Sequence, residues 1–424
     1  MEQLEVIASF DWLKEEEIIG VLGCEKNKGE DIFSFEFSKD WLRNHPDIIL
    51  DRDLHPWTGV QYIKNNLFGC FNDCLPDYWG KLLIELKERQ GNKDFIRPTF
   101  NLSEWTYLKG VDDFQRVGAL RFKSLQTGEY LNADDTYKTP PLVDLKDIVK
   151  MSRKVEKDEF EQRNLANRWN ERLLRSGTSV GGARPKACVI DNGELYIAKF
   201  PSEFDKDNDT RWEYFTNKLA KECGITTADV KLFTLSKNTD IFLSKRFDRT
   251  ADGKRIHMST AKNLLCTAEN RENNVLRSYT DIADLIVENG TDVEKSLQEL
   301  YRRVAFSICI GNADDHLKNH SFLLTEKGWK LSPVYDINPS YFYNHCLLID
   351  NASNESSLDN LYNAHKLYKL DEDTAYVIIK DVTRNIKYWE EIAGDCGISD
   401  LQMDRYKERF ENGISWKYNE TLKR

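Results

Sequence analysis

Three polar residues in the C-terminal half of the chain occur in an order that suits one kind of chemistry. Asp314 and Asn319 lie five residues apart, and a strand–turn–strand pattern over 321–331 then leads to Asp336. Phosphoryl transfer from ATP needs a carboxylate that orients the attacking hydroxyl, and an amide oxygen and a second carboxylate that hold Mg²⁺ against the phosphates. The spacing therefore predicts Asp314 as the catalytic base, and Asn319 and Asp336 as the Mg²⁺ ligands.

The spacing also separates two adjacent acids, because Asp314 is five residues before Asn319 and Asp315 is not. His316, two residues after the predicted base, can donate a hydrogen bond to the transferring phosphate. Each residue alone has a simpler explanation, since Asp and Asn commonly cap turns and a lone histidine is more often structural. The conjunction with the following hairpin and Asp336 favours phosphoryl transfer.

A lysine on a predicted hairpin would supply the positive charge for this reaction. Lys199 ends the run Tyr196–Lys199, and kinases place the lysine that meets the α- and β-phosphates on such a strand. A solvated lysine at a strand end is the alternative for Lys199 taken alone. Glu213, on the next predicted helix, would pair with Lys199 or lie on a solvated helix face.

A glycine-rich segment, 177–182, precedes this hairpin and contains Gly181 and Gly182. This is the position of a loop that covers phosphates, and Lys186 follows as a further phosphate ligand. The segment is not a Walker A motif, because Ala183 occupies the lysine position, and it is not a G-x-G-x-x-G motif.

Changes of pattern divide the chain into segments 1–135, 136–249 and 250–424. Strand signals dominate the first two and helical periodicity the third, which predicts an α+β fold with a β-rich N-terminal part and a helical C-terminal part. The elements predicted in most detail are a strand over 32–37, a helix through Leu82–Leu86, a strand over 118–122, a charged helix over 155–174, a hairpin over 187–200, a helix over 211–223, a strand over 240–247, a helix around 297–308, and the strands 321–325 and 329–331.

Composition limits the surroundings in which the chain would work. The net charge of −11 opposes direct binding to nucleic acid. No stretch of about 18 apolar residues is present, so we expect no membrane span. The N-terminus lacks a signal-peptide pattern, and the nine cysteines include no Cys-x-x-Cys. Together these features predict a cytoplasmic protein with reduced cysteines.

Several segments, in order and spacing, resemble the HipA-like kinases, and the resemblance spans nearly the whole chain. They are Ile32–Trp41, Phe71–Asp77, Ser179–Lys186, Ile197–Pro201, Lys245–Arg249, Gly311–Asn319 and Tyr335–Asp336. The resemblance implies a two-lobed protein-kinase-like fold and a serine/threonine kinase that uses ATP and Mg²⁺. It also implies the toxin of a toxin–antitoxin pair, whose partner is a small helix-turn-helix DNA-binding antitoxin, with DNA bound only through that antitoxin.

The resemblance gives residues roles in this chain. Asp314 would be the base, Asn319 and Asp336 the Mg²⁺ ligands, and Lys186 and Lys199 phosphate contacts. Two further roles come from the resemblance alone: Phe247 would lie at the hinge that receives adenine, and Ser179 matches a loop serine that such kinases autophosphorylate. Some members phosphorylate aminoacyl-tRNA synthetases, so a translation-related protein is the expected substrate. Lys245 departs from the pattern, because it stands where a hinge glutamate is expected.

Two other functions fit part of the pattern. Lipid kinases also use Asp-x-His-x-x-Asn, which Asp314–Asn319 satisfies, although the acidic composition and the lack of a basic membrane-binding patch argue against a lipid or small-molecule kinase. A non-catalytic co-repressor would keep the fold only to bind an antitoxin on DNA. The presence of Asp314, Asn319, Asp336 and Lys199 together argues against that function.

Overall fold

We describe the chain from a computed structural model. The described residues are 2–88, 102–133, 139–160, 177, 182, 184–202, 204–205, 208–236, 239–268, 270, 277–340 and 342–417. The chain forms two compact units: the first comprises Met1–Asp205, Lys231–Asn273 and Leu323–Glu326, and the second Lys206–Val230, Asn274–Phe322 and Lys327–Arg424. The three-segment division with boundaries near 135 and 249 is not tested by this grouping and stays a prediction.

The first unit begins with an antiparallel sheet of strand order β4-β3-β2-β1-β5. Its strands are β1 (Glu2–Ala8), β2 (Glu17–Asn27), β3 (Glu30–Phe37), β4 (Val60–Lys64) and β5 (Leu120–Ser124). The aromatic alternation in β3 buries Phe33 and Phe35, as a half-buried strand requires. The strands predicted over 32–37 and 118–122 are therefore confirmed.

A second sheet in this unit has the order β6-β7-β9-β8. Its strands are β6 (Lys186–Asp191), β7 (Glu194–Lys199), β8 (Val230–Ser236) and β9 (Thr239–Lys245). The turn between β6 and β7 has positive φ at Asn192 (50°) and Gly193 (82°), the conformation that tight hairpins favour. The predicted hairpin over 187–200 and the strand over 240–247 are confirmed.

Helices cover one face of the second sheet and form its core. Trp79 and Leu82 come from one helix, Ile148 and Val155 from another, and they pack with buried strand residues such as Val189. The helices of this unit are α1 (Lys39–Asn44), α2 (Gly69–Asn72), α3 (Tyr78–Glu88), α4 (Glu104–Gly110), α5 (Leu145–Phe160) and α7 (Ala261–Leu265), and a short strand β10 (Met258–Thr260) precedes the last. The helix predicted through Leu82–Leu86 is confirmed as α3. The charged helix predicted over 155–174 overlaps the end of α5, and its remainder lies outside the described residues.

The second unit is mainly helical. Its helices are α6 (Asp209–Glu222), α8 (Tyr279–Asn289), α9 (Val293–Ile310), α10 (Leu358–Asn363), α11 (Glu372–Ile386), α12 (Trp389–Asp395), α13 (Asp400–Met403) and α14 (Lys407–Ile414). The helix α9 is central, because α8, α10, α11 and α14 all pack on it. Its stripe from Leu297 to Ile308 is buried. The helices predicted over 211–223 and 297–308 are confirmed.

Two strands that follow α9 complete the elements around the predicted site. They are β11 (Ser321–Thr325) and β12 (Gly328–Leu331), which match the predicted strands. The N–H of Ser332 donates to the carbonyl oxygen of Ser321 at 2.9 Å, so the chain folds back on itself here. Sheets thus lie mainly in the N-terminal part and helices in the C-terminal part, which confirms the α+β class. Among the helices of the described ranges, none is both long and apolar enough to span a bilayer.

Candidate active site

The loop that carries the predicted base starts at a fixed point. The helix α9 ends at Gly311, whose φ of 69° and ψ of 34° are left-handed and suit glycine. The carbonyl oxygen of Gly311 accepts hydrogen bonds from both the N–H (2.9 Å) and the hydroxyl (3.0 Å) of Ser340. A Cβ at Gly311 would lie 3.4 Å from the Ser340 carbonyl oxygen, an ordinary contact, so the positive φ is what favours glycine here.

Asp314 and Asn319 are brought together by the loop. The Nδ2 of Asn319 donates to the main-chain carbonyl oxygen of Asp314 at 3.2 Å, and its N–H donates to the carbonyl oxygen of His316 at 2.8 Å. Asn319 is buried, while the carboxylate of Asp314 is exposed. Since the amide nitrogen is engaged, Oδ1 of Asn319 is the atom that can bind a cation. The arrangement gives one exposed acid beside one oriented amide oxygen.

His316 lies between these two residues in the chain and is half-buried. Its Nδ1 is shielded from solvent and has no hydrogen-bond partner in the part of the chain that the structure describes. A shielded polar atom without a partner costs free energy unless a ligand satisfies it. The role of His316 as a donor to a phosphate stays a prediction.

Asp336 is held in a left-handed conformation, with φ of 58°. Such a conformation costs roughly 1–3 kcal/mol for a residue other than glycine and is often found at functional sites. The segment is fixed on both sides. The Tyr335 hydroxyl contacts the Lys318 carbonyl oxygen and Ser321 Oγ, each at 2.5 Å, and Thr216 of α6 donates to the Ile337 carbonyl oxygen at 2.5 Å. Tyr335, which directly precedes Asp336, thereby connects this segment to Lys318, which directly precedes Asn319.

Asp315, the acid next to the predicted base, is in a different environment. It is buried and accepts a hydrogen bond from the Tyr279 hydroxyl at 2.9 Å, and its Oδ1 lies 3.0 Å from Nε2 of His320. Burial raises the pKa of the Asp315 carboxyl, but His320 and Tyr279 lower it more, so the pKa lies below its ordinary value. Asp315 is thus a structural acid, and the exposed Asp314 is the one that a substrate can reach.

The two predicted phosphate-binding lysines, Lys186 and Lys199, are direct cross-strand neighbours in the hairpin of the first unit. Both side chains point away from the core face, because Ala187 and Ala198 occupy that face. Their relative exposures are only 5% and 9%. The register therefore places two nearly buried amines side by side, which is compatible with the predicted phosphate contacts of Lys186 and Lys199; those contacts stay a prediction.

Glycine lets the loop before this hairpin approach Lys186. Gly182 has a φ of 93°, and a Cβ there would overlap Nζ of Lys186. Asp77 accepts the N–H of Gly182 at 2.8 Å, and Nε1 of Trp79 donates to the carbonyl oxygen of Lys186 at 2.9 Å. Gly181 and Ser179 lie outside the described residues, so their predicted roles stay predictions.

Four of these holding residues were not found by sequence reasoning: Asp77, Trp79, Tyr335 and Thr216. Asp77 and Trp79 precede the hairpin by more than one hundred positions, and only turn chemistry marked them. Tyr335 is adjacent to a predicted ligand, which is a usable signal. Thr216 follows Glu213 on α6 by one turn, but no spacing rule connects it to Ile337.

The remaining predicted residues, Glu213 and Phe247, belong to different units. Glu213 is buried on α6 in the second unit, and Lys199 lies in the first, so their pairing stays a prediction. Phe247 is half-buried and follows β9 between Arg246 and Asp248, which form a buried ion pair at 2.6 Å. Lys245 forms an ion pair with Glu194. Its side chain is therefore engaged on the sheet, and the role of Phe247 at an adenine site stays a prediction.

The donor set fits Mg²⁺ better than a softer metal. The oxygens of Asn319 and Asp336 are hard ligands, and Mg²⁺ is usually bound by one or two protein side chains together with substrate phosphates and water. The orientation of the Asn319 amide, which leaves Oδ1 available to a cation, is the observation that supports this fit. Within the described ranges, no group of three or more His, Cys, Asp and Glu side chains is arranged to hold a metal by itself.

Two curated proteins are similar to part of the chain. A protein of Haemophilus influenzae named "Putative kinase" is 26% identical over 181 residues, which are 38% of this chain and 52% of that protein. "Putative kinase Y4mE" of Sinorhizobium fredii is 28% identical over 188 residues, 39% of this chain and 43% of that protein. The chain thus spans about half the length of these curated relatives.

The fold is similar to that of a solved HipA structure. The Shewanella oneidensis MR-1 HipA, in complex with HipB and its operator DNA, superposes with a TM-score of 0.67 at 17% identity, over 97% of this chain and 96% of that one. A family model described as the HipA-like C-terminal domain matches residues 178–389, half of the chain. The chain belongs to the HipA-like family.

Proposed function

We propose that the chain is an ATP- and Mg²⁺-dependent serine/threonine protein kinase, and that it acts as the toxin of a toxin–antitoxin pair. The observation that carries the proposal is the hydrogen bond from the Asn319 amide to the Asp314 carbonyl oxygen. Because this bond uses the main chain of Asp314, the exposed Asp314 carboxylate stays available to a hydroxyl. Because it uses the nitrogen of the Asn319 amide, the amide oxygen stays available to a cation. The names of the two curated relatives and the HipA-like fold support the kinase assignment.

The chemistry follows from these positions. The oxygen of a serine or threonine hydroxyl bonds to the γ-phosphorus of ATP as the bond from that phosphorus to the β,γ-bridging oxygen breaks. Asp314 orients this hydroxyl and receives its proton, which contributes typically ~10²–10⁴-fold in rate. A magnesium ion held by Asn319 and Asp336 would offset the phosphate charge. Lys186, Lys199 and His316 add positive charge or donors for the phosphates.

The partners follow from the family and the charge. The HipA structure with a similar fold contains HipB and operator DNA, which supports a small helix-turn-helix antitoxin as the partner here. A net charge of −11 means that DNA would be bound through the antitoxin rather than by this chain. We propose a cytoplasmic translation-related protein as substrate, such as an aminoacyl-tRNA synthetase, whose phosphorylation would inhibit growth.

Ser179 is the proposed autophosphorylation site. It precedes Gly182, which lies against Lys186. A phosphate adds roughly −1.5 to −2 charges at pH 7. Those charges would compete with ATP for Lys186, so modification should inactivate the enzyme. Thr178 is the alternative acceptor.

One experiment tests activity and autophosphorylation together. The wild-type chain, Asp314→Asn and the matched control Glu326→Gln, an exposed acid at the turn between β11 and β12, are incubated with Mg-ATP and analysed by phosphopeptide mass spectrometry. We expect a phosphorylated peptide around Ser179 in the wild type and in Glu326→Gln, but not in Asp314→Asn. Phosphoproteomics after brief induction of the same three variants would identify the protein substrate.

The outcomes separate the alternatives. Phosphate transfer by Asp314→Asn at the wild-type rate would show that Asp314 is not the base. Transfer to a lipid or a small molecule, without protein phosphorylation, would favour a lipid or small-molecule kinase. If no variant transferred phosphate while the wild-type chain still bound the antitoxin on operator DNA, the co-repressor would be the better explanation.

A further inference from the structure

A buried polar network lies beneath the loop that carries Asp314, and the proposed reaction does not use it directly. Its centre is Tyr279, the first residue of α8, whose hydroxyl donates to Asp315 at 2.9 Å and lies 3.3 Å from Nδ1 of His345. Nε2 of His345 contacts the hydroxyl of Ser356 at 3.1 Å. Tyr279, Asp315 and His345 are all buried.

The residue after His345 reaches the predicted base itself. The N–H of Cys346 donates to the carbonyl oxygen of Ala313 at 2.9 Å, and its Sγ lies 3.7 Å from Oδ1 of Asp314. His345 is fixed in turn, because its N–H and carbonyl oxygen both bond to Asn354 at 2.8 Å. The side chain of His345 therefore contacts the buried network, and that of the next residue, Cys346, contacts the exposed carboxylate of Asp314.

We propose that Tyr279, His345 and Cys346 are positioning residues that hold the base Asp314 in place through contacts to the residues directly before and after it. We call this arrangement the clamp. This inference rests on the proposed kinase function of Asp314. The clamp has two arms that meet at the Tyr279 hydroxyl. One arm holds Asp315, the residue after the base, and the other holds His345, whose neighbour Cys346 holds Ala313, the residue before the base.

The contact from Cys346 decides which carboxylate oxygen meets the substrate. The terminal torsion of an aspartate has two broad, nearly equivalent orientations, so an exposed carboxylate is not oriented by its own rotamer preference. A thiol that donates to Oδ1 selects one orientation and leaves Oδ2 for the acceptor hydroxyl. Burial, and next the charge of Asp314, raise the pKa of the Cys346 thiol, so it keeps the proton that it donates.

The state of His345 agrees with the same arrangement. Burial lowers the pKa of His345 to about 4, so the ring is neutral at pH 7. Because the Tyr279 hydroxyl donates to Asp315, its oxygen is left to accept, and the proton of a neutral His345 then lies on Nδ1. In this tautomer Nε2 is the nitrogen that can accept from the Ser356 hydroxyl, 3.1 Å away. Each buried polar group in this arm has a partner, which is the condition for a rigid polar network.

The test uses the full chain and pairs of matched variants. Tyr279→Phe removes the shared hydroxyl, and Tyr301→Phe is its control, since the Tyr301 hydroxyl also bonds to a buried carbonyl oxygen, that of Leu361 at 3.0 Å. Cys346→Ala removes the thiol, Cys346→Ser restores a donor, and Cys396→Ala is the cysteine control. Three quantities are measured: the rate and KM for incorporation of γ-labelled phosphate from Mg-ATP into the chain, the affinity for a fluorescent ATP analogue, and hydrogen exchange of residues 311–319.

We expect Tyr279→Phe to lower the rate at saturating Mg-ATP by about tenfold, since misplacing a reacting group by 1 Å can cost ~10²-fold. Cys346→Ala should lower it about two- to fivefold, as befits a weak S–H donor, and Cys346→Ser should recover most of the loss. The affinity for the ATP analogue should be unchanged in all variants. Exchange over 311–319 should be faster in Tyr279→Phe than in Tyr301→Phe.

The inference and the proposed function fail in different ways. If the wild type is active and Tyr279→Phe matches Tyr301→Phe in rate and in exchange, the clamp is wrong while the kinase stands. If Cys346→Ser is no better than Cys346→Ala, the orientation of the carboxylate by Cys346 is wrong. If the wild type incorporates no phosphate, the proposed function is wrong, and unchanged exchange in Tyr279→Phe would overturn the clamp as well.

Discussion

The predicted acids of the second unit and the predicted lysines of the first unit are held in place by different kinds of structure. In the second unit, side chains bond to the main chain of neighbouring loops, as in Asn319 to Asp314, Tyr335 to Lys318 and Ser340 to Gly311. In the first unit, Lys186 and Lys199 are placed by the pairing register of two strands. Register depends on alternation of apolar and polar residues along a strand, whereas loop contacts depend on individual side chains.

This difference predicts separate effects of mutation. A change in the acid-bearing loops should alter the rate of phosphate transfer or its dependence on Mg²⁺. A change near the lysine hairpin should alter the affinity for nucleotide and leave the loops intact. Mutations that mix the two effects would show that the acids and lysines are not positioned independently.

The largest effect is expected from Asp336→Asn. Asparagine tolerates the left-handed backbone of this position, so the variant should fold and lose only the charge. We expect the rate at physiological Mg²⁺ to fall at least about 100-fold, because loss of even an indirect partner of a metal ligand costs ~10–100-fold.

A titration of the rate with Mg²⁺ checks this expectation, with Asp395→Asn, an exposed acid at the end of α12, as the control. Asp336→Asn should need much more Mg²⁺ and recover part of its rate at high concentration. A full rate at the wild-type Mg²⁺ requirement would exclude Asp336 as a ligand.

A smaller effect is expected from Gly182→Ala, for which the hairpin offers a matched control. Gly182 and Gly193 both have positive φ, 93° and 82°, but a Cβ at Gly182 would overlap Lys186 Nζ while one at Gly193 would meet no atom within 4 Å. Both variants should lose about 1–2 kcal/mol of stability through backbone strain.

Only Gly182→Ala should lower the affinity for ATP, by about tenfold, because one charge-assisted contact is worth ~1.5–3 kcal/mol. Nucleotide binding by calorimetry, together with thermal unfolding, measures both quantities. Equal affinities in the two variants would contradict the assignment of Lys186 to the phosphates.

The smallest effect on activity is expected from His257→Gln in the first unit. This variant should instead change how the stability of the chain depends on pH. The His257 ring stacks on Phe10 with centroids 5.2 Å apart, and burial lowers its pKa to about 3. The unfolded chain binds a proton at this residue below pH ~6.5, while the folded chain does so only below about 3. Unfolding therefore takes up a proton between these values, and the stability that His257 contributes is complete above pH 6.5 and lost as the pH falls.

Chemical unfolding at pH 7, 6 and 5 checks this expectation for the wild type and His257→Gln. The free energy of unfolding should fall with pH more steeply in the wild type, by up to about 1.4 kcal/mol per pH unit for a single group. Parallel curves for the two proteins would show that His257 is already able to bind a proton in the folded state.

The helices and strands whose apolar residues repeat at a regular spacing were predictable from the sequence. The strand 30–37, the hairpin 186–199 and the helix 293–310 each show their alternation or stripe directly, and all three were found. The spacing to Asn319 also selected Asp314 rather than Asp315 as the predicted base, and Asp314 is the exposed one of these two acids; its catalytic role stays a prediction. Both results come from spacing within one short segment.

Contacts between distant segments were not predictable. Nothing in the sequence relates Thr216 to Ile337 or Cys346 to Asp314, since such contacts depend on how helices and loops pack. The left-handed conformation of Asp336 has no sequence signal either, because any aspartate can adopt an extended backbone instead. The candidate catalytic residues thus had a signal in the sequence, whereas the residues that hold them did not.

The contacts of Asp77 and Trp79 also bear on the order in which the chain folds. They join residues 105 and 107 positions apart: Asp77, directly before α3, to Gly182, and Trp79 of α3 to Lys186. Closing a loop of this length costs entropy before any contact compensates for it, and such contacts slow folding. During synthesis α3 leaves the ribosome about one hundred residues before the hairpin, so neither contact can form until the segment around Lys186 has emerged. Capacity to bind nucleotide should therefore be acquired late, after the segment that contains α3 has become structured.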